Sequence, residues 1–133
     1  MAANTTPIFV LSSALSYCQV TTANTNRDGA TGAYVSLITG GTNGTIIDMV
    51  RVVATGTTTA GVVRLFVSTD SGSTKRLLAE ILVPAITPGT TVTVFTYDWI
   101  PTRPLVLTDA TDSVWGSTHV SETFNLFAFG GNY

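Results

Sequence analysis

The chain has 133 residues and a net charge of −2, with 44% hydrophobic but only 11% charged side chains. That length fits one domain with one core. A slightly negative chain lacks the basic surface that nucleic-acid binding needs, so we expect no nucleic-acid partner. No apolar run approaches the ~20 residues of a membrane-spanning helix, so we expect no membrane partner either.

The residue types favour strands over helices. The chain contains 25 threonines and many valines, which fit a pleated, half-buried surface, and its single lysine is Lys75. Turn signals recur about every eight to twelve residues, which is the spacing of an antiparallel sandwich or barrel. We therefore predict an all-β fold.

In chain order, the pattern predicts an extended N-terminal arm at 1–14 and a single β-sandwich domain at 15–133. We predict an antiparallel β-sandwich, most economically a jelly roll of eight or nine strands, and an immunoglobulin-like sandwich is the competing topology. The predicted strands are 15–22, 33–39, 45–54, 62–69, 75–83, 91–99, 105–108, 113–118 and 123–129.

The last strand has two different apolar faces. Alternation puts Phe124, Leu126 and Ala128 on the face that fills the core, and Phe127 and Phe129 on the opposite face. The closing "GGNY" suggests a glycine hinge that carries an aromatic anchor. We expect a neighbouring subunit to cover the second face through at least one of Phe127, Phe129 and Tyr133.

The N-terminal arm is a second candidate contact. It is polar up to Pro7 and then carries a short apolar patch that requires a groove. The candidate interface residues of the arm are Thr6, Pro7, Ile8, Phe9, Val10 and Leu11.

Residues able to support catalysis or bind metal are few. His119 is the only histidine and Cys18 the only cysteine, so a zinc site of the usual ligands would need distant partners and no internal disulfide can form. A serine, His119 and Asp109 or Asp112 could form a triad, but no serine lies in a G-x-S-x-G motif. Asp109 and Asp112 fit an ordinary turn better than a calcium loop. We expect no enzymatic activity, cofactor or metal.

Two further patterns have a functional and a structural interpretation. Arg51, Arg64 and Arg76 most simply pair across strands with acidic residues, Asp48 or Glu80, on a solvated face. Alternating aromatic residues could form a sugar-stacking platform, although on a strand they more often belong to a core or an interface. The platform residues would be Tyr97, Trp99 and Trp115.

Over residues 6–133 the chain resembles a group of short structural proteins of tailed bacteriophages. The resemblance rests on "TPIF", "TANTNRDG", "NGTIIDMVRVVATGTTTAGVVRLFV" and the closing "GGNY". It departs from the expected pattern at Asn132, where the closing motif would have an acid that could pair with a shell residue.

The resemblance implies a virion structural protein, and with no enzymatic inventory the favoured role is capsid decoration, also called cement. Such a protein is made in the host cytoplasm, binds the outer surface of the capsid as a homodimer or homotrimer, and bridges subunits of the major capsid protein. A phage tail, fibre or adaptor component is the first alternative. A carbohydrate-binding β-sandwich module is the second.

Overall fold

A computed structural model describes residues 10–133, and within them every regular element is a β-strand. All pairings between these strands are antiparallel. The predicted all-β class is therefore confirmed. The nine strands are β1 (Ser12–Val20), β2 (Val35–Thr39), β3 (Thr45–Ala54), β4 (Gly61–Ser68), β5 (Arg76–Val83), β6 (Thr96–Trp99), β7 (Leu105–Leu107), β8 (Ser113–Thr118) and β9 (Phe124–Asn132).

The strands form two packed sheets. The five-stranded sheet has the order β1-β9-β3-β6, with β7 also paired to β3, and the four-stranded sheet has the order β2-β8-β4-β5. The first four strands alternate between the two sheets along the chain. This arrangement is the β-sandwich that the sequence predicts.

The core lies between the sheets and follows the period-two alternation of the strands. Phe124, Leu126 and Ala128 are fully buried, as predicted for the inner face of β9. The two sheets are in close contact at Gly116 of β8, where an added Cβ would collide with the Leu126 side chain. That position therefore has room for glycine and no larger residue.

Strands β1 and β9 both extend beyond their predicted bounds, β1 at its start and β9 at its end. β1 begins at Ser12, inside the predicted arm, and it pairs with β9 from Ser12–Asn132 to Val20–Phe124. The prediction of a glycine hinge at "GGNY" is wrong, because Gly130 and Gly131 remain within β9. The backbone N–H of Tyr133 then donates to the Gly44 carbonyl at 3.1 Å, which holds the C-terminal residue against the β2–β3 turn.

The largest difference between the predicted and the observed strands is at residues 91–99. Only Thr96–Trp99 forms a strand, β6. A turn precedes it, in which the Gly89 N–H donates to the Val92 carbonyl at 2.9 Å. The N–H of Ala54 still donates to the Phe95 carbonyl at 2.9 Å, so Phe95 packs in the core although it lies outside the strand.

Candidate functional site

The chain's own β1–β2 loop, residues 21–34, covers the outer side of the four-stranded sheet over Arg64 and Phe66 of β4; we call this part the covered face. The Asn24 N–H donates to the Thr118 carbonyl at 2.8 Å, which joins the loop to the end of β8. The ring of Tyr34 packs edge-on against Phe66 of β4 with 4.9 Å between ring centroids. Phe66 is consequently buried although it points away from the core.

Beneath this loop lies a buried arginine. Arg64 of β4 is 1% exposed; its Nη1 donates to the Asn24 carbonyl at 3.0 Å, and its Nε lies 3.4 Å from Oε2 of Glu80 without hydrogen-bond geometry. Arg27 of the loop donates from Nε to Oε1 of Glu80 at 2.7 Å. That bond, with the charges of Arg27 and Arg64, holds the pKa of Glu80 below its usual value against the opposing effect of burial.

The predicted arginine pairs are therefore partly wrong. Arg64 does pair with Glu80, but it is buried rather than solvated because loop 21–34 covers it. Arg51 pairs with Asp98 of β6 instead of Asp48 or Glu80. Among the described residues, Arg76 lies in no ion pair.

Local hydrogen bonds fix the conformation of the loop. Asp28 accepts the N–H groups of Ala30 and Thr31, both at 3.0 Å, and these bonds, that of Thr31 first, hold its pKa well below the usual value. Gly29 has φ +74°, and an added Cβ there would collide with the Lys75 backbone carbonyl. The "TNRDG" sequence is thus suited to lying closely on the sheet.

The outer side of the five-stranded sheet has no such cover from residues 10–133; we call the part formed by β1, β9 and β3 the open face. Tyr17 and Leu15 are 72% and 58% exposed there, and Phe127 and Phe129 are half-buried. By the strand register the open face includes Leu15, Tyr17, Gln19, Met49, Arg51, Val53, Asn125, Phe127 and Phe129, and the exposed Asp48 lies beside Met49 at a bulge in β3.

Aromatic rings form the centre of the open face. The rings of Tyr17 and Phe127 lie 6.0 Å apart, and those of Phe127 and Phe129 are stacked at 6.4 Å. The guanidinium of Arg51 lies 6.0 Å from the Phe129 ring centroid and donates from Nε and Nη2 to the two carboxylate oxygens of Asp98, at 2.6 and 3.0 Å. Its charge is thus paired beside an aromatic surface, and β1 and β9 contribute no charged residue at all.

A shallow groove of about 460 Å³ lies at one end of the open face. It is lined by Tyr17, Cys18, Gln19, Asn125 and Phe127. Burial raises the pKa of the Cys18 thiol to about 11, so the thiol is protonated at neutral pH. The groove is therefore lined by rings and amides, with a protonated cysteine at its edge.

A second groove of about 390 Å³ lies at the far end of the same sheet, between the β2–β3 turn and β7. Tyr133 and Val106 contribute its largest side chains. Close by, Oδ1 of Asn132 accepts the Thr45 hydroxyl at 2.6 Å. The amide at the position where the resemblance leads one to expect an acid is thus already engaged within the chain.

The predicted interface residues have different positions. Phe127 and Phe129 lie together on the open face, and Tyr133 is half-buried in the second groove. Val10 and Leu11 are 48% and 80% exposed. Contact of these residues with another chain remains a prediction. The arm residues Thr6, Pro7, Ile8 and Phe9 lie outside the described residues.

The two aspartates considered for catalysis form hydrogen bonds within a turn rather than with His119. Asp112 accepts the backbone N–H of Thr108 at 2.8 Å, and Asp109 accepts that of Thr111 at 2.8 Å, so both carboxylates stabilise one turn. Nδ1 of His119 makes no hydrogen bond within residues 10–133. Nowhere in that range do three or more His, Cys, Asp or Glu side chains lie close enough to hold a metal ion.

The aromatic residues considered for sugar stacking do not form one platform. Trp115 lies in the four-stranded sheet, where Nζ of Lys75 lies 4.5 Å from its ring centroid. Tyr97 and Trp99 lie in the other sheet, opposite Val52 and Val50 of β3. Trp99 packs against the core and Tyr97 is partly exposed, so these residues fit the structural interpretation better than a shared platform.

Comparison of the chain with models of known protein families finds no match, and comparison with curated proteins finds none either. Across residues 10–133, no helix is long and apolar enough to cross a membrane.

Proposed function

We propose that this chain is a non-enzymatic virion structural protein that decorates the outside of a phage head and bridges subunits of the major capsid protein. The observation that carries the proposal is the open face, an uncovered aromatic surface on a chain with few charges. Exposed apolar patches rimmed by polar groups mark protein contacts. The reason to propose a phage particle as the partner is the sequence resemblance to structural proteins of tailed phages.

The strand order supports the jelly-roll interpretation on which this role draws. The pairs β1 with β9, β2 with β8, β3 with β6 and β7, and β4 with β5 are nested along the chain. Nested pairs describe one long antiparallel ribbon, and the cross-pairs of β3 with β9 and β4 with β8 roll that ribbon into two sheets. We infer that the sandwich is a jelly roll, a fold that viral capsid domains use.

In the proposed mechanism the protein stabilises the shell by binding alone, without a chemical reaction. A decoration protein binds the assembled shell and not its free subunits, so it stabilises the shell by mass action, by about 2.7 kcal/mol per site when its free concentration is 100 times Kd. Two or three copies around a symmetry axis would each contribute such a stabilising free energy. The aromatic rings supply contact area with few rotatable bonds, which keeps the entropic cost of binding low.

The test is binding to expanded head shells, with matched variants on the two sheets. Tyr17→Ser removes an exposed ring from the open face, and Leu82→Ser removes an 80% exposed side chain from β5 of the other sheet. For a tyrosine inside the contact we expect at least a roughly tenfold loss of affinity in co-sedimentation, a hot-spot-sized effect, and no change for Leu82→Ser.

Each contrary outcome has a distinct meaning. Absence of wild-type binding to expanded shells, together with equal stability of shells that lack the protein, would overturn the decoration role. Equal binding by both variants would exclude the open face as the contact. A count of only a few copies per particle would instead assign the chain to the tail, a fibre or an adaptor.

A further inference from the structure

A small cavity lies where loop 21–34 meets β8. Its volume is about 40 Å³, and its lining includes three residues of the loop and three of the strands: Thr21, Thr22, Ala33, Val20, Gly116 and Ser117. The direct bond from the Asn24 N–H to the Thr118 carbonyl is made by the next residue of β8. The cavity therefore belongs to the junction between the loop and the four-stranded sheet.

Ser117 brings a buried polar group to this cavity. The residue is 1% exposed, and its Oγ makes no hydrogen bond within residues 10–133. Ser117 is the cross-strand neighbour of Arg64, so its side chain lies on the same outer side of the sheet as that arginine. Because buried hydroxyls in proteins are almost always paired, the cavity is the place for a hydrogen-bond partner of Ser117.

The size and the lining of the cavity decide what that partner is. A water molecule needs about 10–15 Å³, whereas pockets for organic ligands begin at about 300 Å³. A cavity of about 40 Å³ therefore takes water and excludes an organic ligand. Buried water also needs two to four polar partners, and Thr21 and Thr22 add hydroxyl and peptide groups to the lining that Ser117 shares.

We propose that this cavity is the binding site of an ordered water molecule, which bonds Oγ of Ser117 and links it to Thr21 or Thr22. The loop is then held to β8 in two ways, directly at Thr118 and through water at Ser117. A bridging water serves nearly as well as a direct hydrogen bond, so the loop can close over the sheet without an exact fit of side chains. This inference concerns the sandwich alone and does not depend on the decoration role.

Oxygen-17 relaxation dispersion of the free protein tests the site in solution. The method counts water molecules that stay bound for longer than the protein takes to tumble, and exchange of hydroxyl protons does not contribute to it. We expect wild type to hold one more such water than Ser117→Val, whose side chain fills the cavity and offers no hydroxyl. Ser36→Val, at an exposed serine of β2, is the matched control and should keep the wild-type count. Equal counts for wild type and a folded Ser117→Val would overturn the proposal.

A high-resolution crystal structure of the unmodified protein gives the second readout, which decides the question if Ser117→Val does not fold. We expect an ordered water within about 3.2 Å of Oγ of Ser117, with a second contact to Thr21 or Thr22. A direct bond from the Ser117 hydroxyl to a protein group, or no ordered water beside it, would overturn the proposal. Both measurements use the protein without shells, so their failure is separate from failure of the decoration role.

Discussion

The two outer faces of this sandwich are built from similar strands but are completed differently. On the covered face, loop 21–34 buries Phe66 and Arg64, and it supplies a carbonyl that accepts from Nη1 of Arg64 and an arginine that pairs with Glu80. On the open face, Tyr17, Phe127 and Phe129 form a ring cluster that no part of residues 10–133 covers. The chain thus covers part of one sheet with its own loop and leaves an aromatic surface exposed on the other, and this contrast motivates the proposed contact with another chain.

The largest effect is expected from Arg64→Ala on the covered face. The substitution leaves a cavity and an unpaired Asn24 carbonyl, and it removes one partner of Glu80. We expect the free energy of unfolding to fall by about 3 kcal/mol, because a fully buried side chain is lost and a buried carbonyl loses its donor. Urea unfolding followed by tryptophan fluorescence measures it.

Arg76→Ala is the matched control, because Arg76 is exposed on the neighbouring strand β5. It should change the free energy of unfolding by no more than about 0.5 kcal/mol. If Arg64→Ala cost as little as this control, loop 21–34 would contribute nothing to the stability of the covered face.

A slightly smaller effect is expected from Gly29→Ala, which tests how closely the loop lies on the sheet. The φ of +74° and the collision with the Lys75 carbonyl both oppose a Cβ. We expect a loss of about 2 kcal/mol in unfolding free energy, mostly from left-handed strain and displacement of the loop. In Gly56→Ala the new Cβ meets nothing within 4 Å, so that variant should stay near wild type. Equal stability of the two variants would show that the loop is loosely placed.

The same substitution on each face gives the sharpest comparison. Tyr34→Ser removes the ring that packs on Phe66 and should cost about 1–2 kcal/mol of unfolding free energy. Tyr17→Ser removes a ring that is 72% exposed and should cost less than about 0.5 kcal/mol. Thermal unfolding of both variants measures the difference. A larger loss for Tyr17→Ser would mean that the open face already serves the stability of the fold.

The smallest effect is a pH dependence at Asp28, which is exposed. Its folded-state pKa is lowered by the N–H groups of Thr31 and Ala30, so its contribution to stability is present above the unfolded-state pKa of about 3.9 and is lost as pH falls toward the folded value. Asp28→Asn should therefore be less stable than wild type at pH 6, with a gap that narrows at pH 3. A gap that stays constant between these pH values would show that the carboxylate charge plays no part.

Sequence patterns predicted the features of this fold that depend on local alternation. The buried face of β9, with Phe124, Leu126 and Ala128, follows from a period of two, and so does the outward position of Phe127 and Phe129. The inner and outer faces of β9 could therefore be assigned from the alternation of neighbouring residues alone.

Features that depend on distant parts of the chain could not be predicted in this way. Arg64 looks like a surface residue until a loop about 40 positions earlier is placed over it. Gly130 and Gly131 look like a hinge until the extended β1 gives them pairing partners. Tyr97 and Trp115 look like one aromatic group until the sheet order separates them.

A cryo-EM map of the protein on an assembled head would show whether the open face is the surface that binds the shell, as we propose. We expect Tyr17, Phe127 and Phe129 to lie against subunits of the major capsid protein and loop 21–34 to face away from them. A map in which the open face points to solvent, and the covered face or the β5 edge touches the shell, would contradict it.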